Sequence, residues 1–151
     1  MQIGGSVGIA YDPWKHAGEL GLTIVEERLP VKVRGEYRHG DQLILLARGM
    51  THRQARSTLA HEIQHAIAGD TPTQFGPRHH LQERRACRAA AFMLIDPREY
   101  AEAERLREGH LSAIAYDLVV TRRVISDWRA YWASVSPSSL MALRASSRLT
   151  C

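Results

Sequence analysis

Apolar positions fall into short runs between residues 22 and 47 and then switch to a spacing of three and four that continues to about residue 133. The early runs are rich in branched and aromatic residues and are bounded by Gly, Pro and Asp, which predicts strands over Leu22 to Leu29, Val31 to Tyr37 and Gln42 to Ala47. Arg38-His39-Gly40-Asp41 reads as the turn before the third strand, and Asp12-Pro13 opens a short helix that closes near Gly21. Thr51 then caps a longer helix, in which Ala55, Leu59, Ile63 and Ile67 form the apolar stripe and Gly69 is the stop. A loop from Asp70 to His79, with Pro72, Gly76 and Pro77, leads into a second helix from His80 to Ile95 with Cys87, Ala90 and Leu94 on one face. Asp96-Pro97 begins another helix, to about Glu108 before Gly109.

These elements predict an α+β fold, a three-stranded sheet packed on two long helices, closed by a helical hairpin over Leu111 to Ala133. A chain of 151 residues suits one domain, with a core over about 11–110, the hairpin over 111–133 and a serine-containing tail over 134–151.

The first long helix carries His61-Glu62-Ile63-Gln64-His65, an HExxH pattern. Residues four apart share a helix face, so both imidazoles can aim a nitrogen at one point. A zinc ion there needs further ligands, typically a third from the protein and a water, and Glu62 beside that water is placed as a general base. The alternative is an exposed helix that happens to hold two histidines. Glu83 favours the metal: it begins the apolar face of the next helix, where a carboxylate is costly without a partner and a cation supplies one. A first-turn glutamate favoured by the helix dipole is the competing explanation.

Leu59-Ala60-His61-Glu62-Ile63-Gln64-His65, Gly69-Asp70, and Gln82-Glu83-Arg84-Arg85-Ala86-Cys87-Arg88-Ala89-Ala90 together resemble the ImmA/IrrE metallo-endopeptidases, phage and mobile-element versions most of all. The resemblance runs from about Tyr11 to about Trp132. It implies a zincin-like fold, one zinc per chain held by His61, His65 and Glu83, and Glu62 as the base. It further implies a protein substrate, a helix-turn-helix repressor of a mobile element or stress response. The chain departs from that family four residues beyond Glu83, where Cys87 replaces the usual Asp or Asn that orients a ligand histidine. Cys87 then acts weakly in that role or is a packed core thiol, the simpler reading, and Asp70 is a possible substitute. Tyr37, His79 and His80 are unranked candidates for stabilising the oxyanion.

Composition narrows the setting. Two cysteines make no disulfide framework, and the amino terminus shows neither a secretory signal nor a membrane span, which fits a reducing cytoplasm. The net charge of +4 comes largely from scattered arginines and is weak support for nucleic-acid binding. Residues 111–133 nevertheless offer a second reading. Ala115, Leu118, a turn at Val119-Val120, Thr121 as N-cap, then Val124, Ile125 and Trp128 resemble a helix-turn-helix, with Arg122, Arg123 and Arg129 available for phosphates. In that case the metal is structural only. A closing hairpin is favoured, because the turn lacks glycine and Trp128, Tyr131 and Trp132 look like core.

Overall fold

Leu43–Ala47 is apolar throughout, and it takes the buried centre of the sheet. In the computed structural model, which describes residues 10–71 and 76–135, the elements are α1 (Pro13–Glu19), β1 (Thr23–Glu27), β2 (Gly35–Arg38), β3 (Leu43–Ala47), α2 (His52–Ala68), α3 (Pro77–Leu94), α4 (Pro97–Leu106), α5 (Leu111–Asp117) and α6 (Arg122–Val135). The sheet order is β1-β3-β2, with β1 parallel and β2 antiparallel to β3. The expected α+β architecture with three strands is therefore present.

Several features differ from expectation, among them the first strand, which runs Thr23–Glu27 rather than Leu22 to Leu29. The second strand starts at Gly35 rather than Val31: Val33 closes a turn onto Pro30, Lys32 takes φ 75°, and Val31 is 90 % exposed, so the turn overrides the strand preference of valine. The third helix starts at Pro77 rather than His80, since proline is pre-set for the first helical position. Ile67 is 55 % exposed, so the buried stripe of α2 consists of Leu59, Ala60 and Ile63 instead of extending to the helix end. Pro72 of the expected loop and residues 136–151 of the expected tail lie outside the described residues, and residues 134 and 135 complete α6.

Helix α2 is shared by two cores. Leu59 and Ile63 join Tyr37, Ile44 and Leu46 on the sheet side, whereas Ala60 joins a cluster of Ala90, Ala91, Tyr100, Ile114, Ile125 and Trp128 from α3 to α6. Thr51 caps its start in a reciprocal pair with Gln54, and Gly69 ends it in the left-handed conformation at φ 64°. The hairpin is tied to the same helix. Arg56 is buried and donates to the carbonyls of Leu118, Val119 and Tyr11 at 3.0–3.3 Å, and the Thr121 amide donates to Ser57 Oγ at 3.1 Å. These bonds hold Val119 at φ 53°, a left-handed conformation that a β-branched residue resists, which explains how the turn dispenses with glycine.

Strand β2 lies so close to α2 that Gly35 is required. A Cβ there would meet Thr58 Cγ2 at 2.6 Å and Glu62 Cγ and Oε1 at 2.9 Å. Gly35→Ala should therefore cost about 1–3 kcal/mol through overpacking. Thermal denaturation should show a midpoint several degrees lower, and an unchanged midpoint would mean that β2 can move away from α2 without loss.

Candidate metal centre

His61 and His65 leave α2 one turn apart, and Glu83 approaches from the second turn of α3. The two Nε2 atoms are 3.1 Å apart, with Glu83 Oε1 at 3.1 Å from His65 Nε2 and Oε2 at 3.4 Å from His61 Nε2. Ligands placed 2.0–2.1 Å from one tetrahedral ion stand about 3.3 Å from each other. The three donors thus fit a single metal ion, and they form the one such cluster of His, Cys, Asp and Glu among the described residues. Glu83 lies at the margin of the apolar face rather than within it, its side chain 39 % exposed.

The charges around the site follow from this crowding. Burial works against the charged form of His61, yet Cys87, Glu83 and Glu62 outweigh it and push the ring up to about 10. His65 is raised in the same way, against burial, by Glu83 and Asp70. Both imidazoles in turn hold the Glu83 carboxyl far below the usual carboxylate range. Glu62 moves upward because it is buried, with His61 and His65 pulling back, and its carboxylate accepts the Tyr37 backbone N–H.

Each histidine has a different partner on its remaining nitrogen. The left-handed Gly69 swings Asp70 back under the helix, where its amide reaches the His65 carbonyl at 3.0 Å and its carboxylate meets His65 Nδ1 at 2.8 Å. Gln82 Nε2 donates to the same carboxylate at 3.1 Å, and Arg85 also binds it. His61 Nδ1 has Cys87 Sγ as its neighbour, at 3.7 Å, and the same thiol interacts with Arg123. Cys87 is accordingly not the packed core thiol expected more simply from sequence; it is partly exposed and borders the site.

The remaining sequence candidates fall in different places. Tyr37 is buried, and its hydroxyl is engaged by Gln42 Nε2 and His39 Nδ1, each at 3.1 Å, so its main chain rather than its side chain serves Glu62. His79 and His80 stand in the first turn of α3, His79 half-buried and His80 exposed beside Glu83. Sequence reasoning missed Gly35, although a glycine inside a strand is the mark of a close backbone approach. Arg123, a phosphate contact in the helix-turn-helix reading, lies instead beside Cys87.

The family model of peptidase M78, described as the IrrE N-terminal-like domain, matches residues 17–126. That span includes α2, α3 and the first part of the hairpin, and the chain belongs to this metallopeptidase family. No curated protein and no solved structure gives a match.

Metal loading must displace the protons that Glu83, Cys87 and Asp70 hold on the two histidines, because only neutral imidazole ligates. Calorimetric zinc titration in two buffers of unlike ionisation enthalpy should show release of about one or more protons per ion, with affinity falling as the pH drops. Zero proton release at neutral pH would contradict the charge state described for His61. Cys87→Asp should tighten zinc by about tenfold, read by chelator competition, because a carboxylate holds an imidazole tautomer better than a thiol does. Equal affinities would show that His61 needs no partner there.

Proposed function

We propose that this M78 metallopeptidase is a zinc-dependent endopeptidase that cleaves one dedicated protein, a helix-turn-helix repressor of a mobile element or stress response. Support for peptide hydrolysis comes above all from one observation: a buried glutamate, its proton affinity raised, directly adjoins a cluster of two imidazoles and a carboxylate spaced for one ion. His61, His65 and Glu83 would hold the metal. Zinc bound there supplies Lewis-acid polarisation of the scissile carbonyl and a lowered pKa for water.

The chain's own groups provide the rest. Glu62 takes the proton of the attacking water and passes it to the leaving amine, a role that suits a carboxyl shifted upward by burial. Gly35 leaves room for that carboxylate, and the Tyr37 amide fixes its orientation. Asp70 holds Nδ1 of His65 so that Nε2 faces the metal position. For the oxyanion, Tyr37 is the weakest of the three candidates because its hydroxyl is already bonded, which leaves His79 and His80.

The regulatory reading, in which residues 111–133 bind DNA, is disfavoured. Arg129 is turned inward onto Tyr100 and Glu104, Trp128 is buried, and α6 packs on α3. No helix among the described residues is long and apolar enough to cross a membrane. The repressor substrate rests on the family resemblance.

Glu62→Gln should retain about one zinc per chain by elemental analysis and lose cleavage by several orders of magnitude, since Glu62 is not a ligand. Co-expression with a neighbouring repressor should give a single Glu62-dependent cut by mass spectrometry, alongside little digestion of casein. Indiscriminate casein digestion with an intact repressor would overturn the substrate and leave the chemistry in place.

A further inference from the structure

A groove of about 900 Å3 runs between α3 and α6, and Glu83 and Cys87 form part of its wall. It is therefore continuous with the metal centre, although no catalytic step described above uses it. Arg84 and Arg88 line the same wall one helical turn apart, while α6 contributes Arg123, Asp127 and Tyr131. The acids in the groove are committed. Asp127 pairs with Arg123 at 3.1 Å, and Glu83 faces the two histidines.

Arg84 and Arg88 are left over. Arg88 lies 5.0 Å above the ring of Tyr131, and neither arginine has a carboxylate partner among the described residues. The segments outside them, 1–9, 72–75 and 136–151, contain no Asp or Glu, so no acidic side chain of this chain is available to compensate the pair. Like charges one turn apart repel on a helix, and here both line the wall that also carries Glu83. A groove with uncompensated cations selects anionic ligands and repels cationic ones.

We infer that this groove holds an acidic segment of the polypeptide substrate, with Asp or Glu side chains near the scissile bond paired to Arg84 and Arg88. The inference rests on the peptidase reading for its orientation, because Glu83 is common to groove and centre. A nucleic-acid backbone is the poorer fit. It calls for a longer run of free cations than the two that this groove offers.

Binding separates the groove from turnover. Zinc-loaded Glu62→Gln protein is titrated by fluorescence anisotropy with a labelled acidic peptide, its Gln/Asn counterpart and its Lys counterpart. The acidic peptide should bind about tenfold more tightly than the neutral one, and R84E/R88E in the same background should abolish or reverse that order. Both arginines are exposed, so zinc content and thermal midpoint should hold; should the variant fold poorly, a fall in the parent's acidic-peptide affinity with rising salt tests the same pairing. Equal affinity for the acidic and neutral peptides, an acidic preference that survives charge reversal, or duplex DNA displacing the acidic peptide through the same arginines would each overturn the inference. Acidic-peptide binding that persists while the unsubstituted zinc protein cleaves neither the co-expressed repressor nor any other polypeptide would instead defeat the peptidase reading and leave the groove standing.

Discussion

The packing of α2 against α3 is the contact on which the rest of the structure depends. Small residues permit it, because Ala60 of α2 and Ala90 and Ala91 of α3 share one buried cluster and carry nothing that would hold the helices apart. With the helices this close, Glu83 comes within 3.4 Å of two imidazoles that α2 already sets side by side. Larger side chains at those positions would separate the carboxylate from the histidines even if every polar residue stayed in place. The position of α2 is fixed independently from its other side, where Leu59 and Ile63 pack on the sheet. The cluster at the metal centre is thus set by two apolar contacts and not by attraction between its polar members.

Those polar members are costly to bring together. Glu62 and His65 are buried, and Glu83, Cys87 and Asp70 crowd the same volume. Protons shared between the histidines and the acids balance the charges in the metal-free protein, which is why both imidazoles shift upward while Glu83 shifts downward. A divalent cation held by the same three donors would replace those protons, so metal and protons would compete for one arrangement instead of demanding two. The asymmetry between the histidines follows from the local chain. A helix ended by a left-handed glycine returns Asp70 to His65, whereas His61 depends on whichever residue stands one turn past Glu83 on α3, and here that residue is a thiol.

Legibility in the sequence tracks the range of the forces involved. The first long helix, its caps at Thr51 and Gly69 and the central strand are local features, written in spacing and capping chemistry, and they stand within a residue of where they are expected. The cluster at His61, His65 and Glu83 can be read because helical period fixes two of its members and a carboxylate at the margin of the next helix's apolar face points to the third. The second strand is misplaced by sequence pattern because its residues favour extended backbone while Pro30 and Lys32 impose a turn that composition ranks low. Arg56 is invisible for a different reason. A buried arginine that donates only to main-chain carbonyls leaves no pattern in side-chain types, and its partners lie 45 to 63 residues away.

That arginine also bears on why the helical hairpin belongs with the centre. Arg56 and Ser57 precede the HExxH segment by about one turn of α2, and they hold the strained turn that launches α6. Helix α6 then packs on α3 and supplies one wall of the groove beside Glu83. The helix that carries Glu62 therefore anchors both the sheet edge, through Gly35 and Tyr37, and the hairpin, through Arg56. A displacement of α2 relative to either would move Glu62 and the groove wall together. In a chain of 151 residues this coupling lets one helix set the positions of Glu62 and of the groove wall at once.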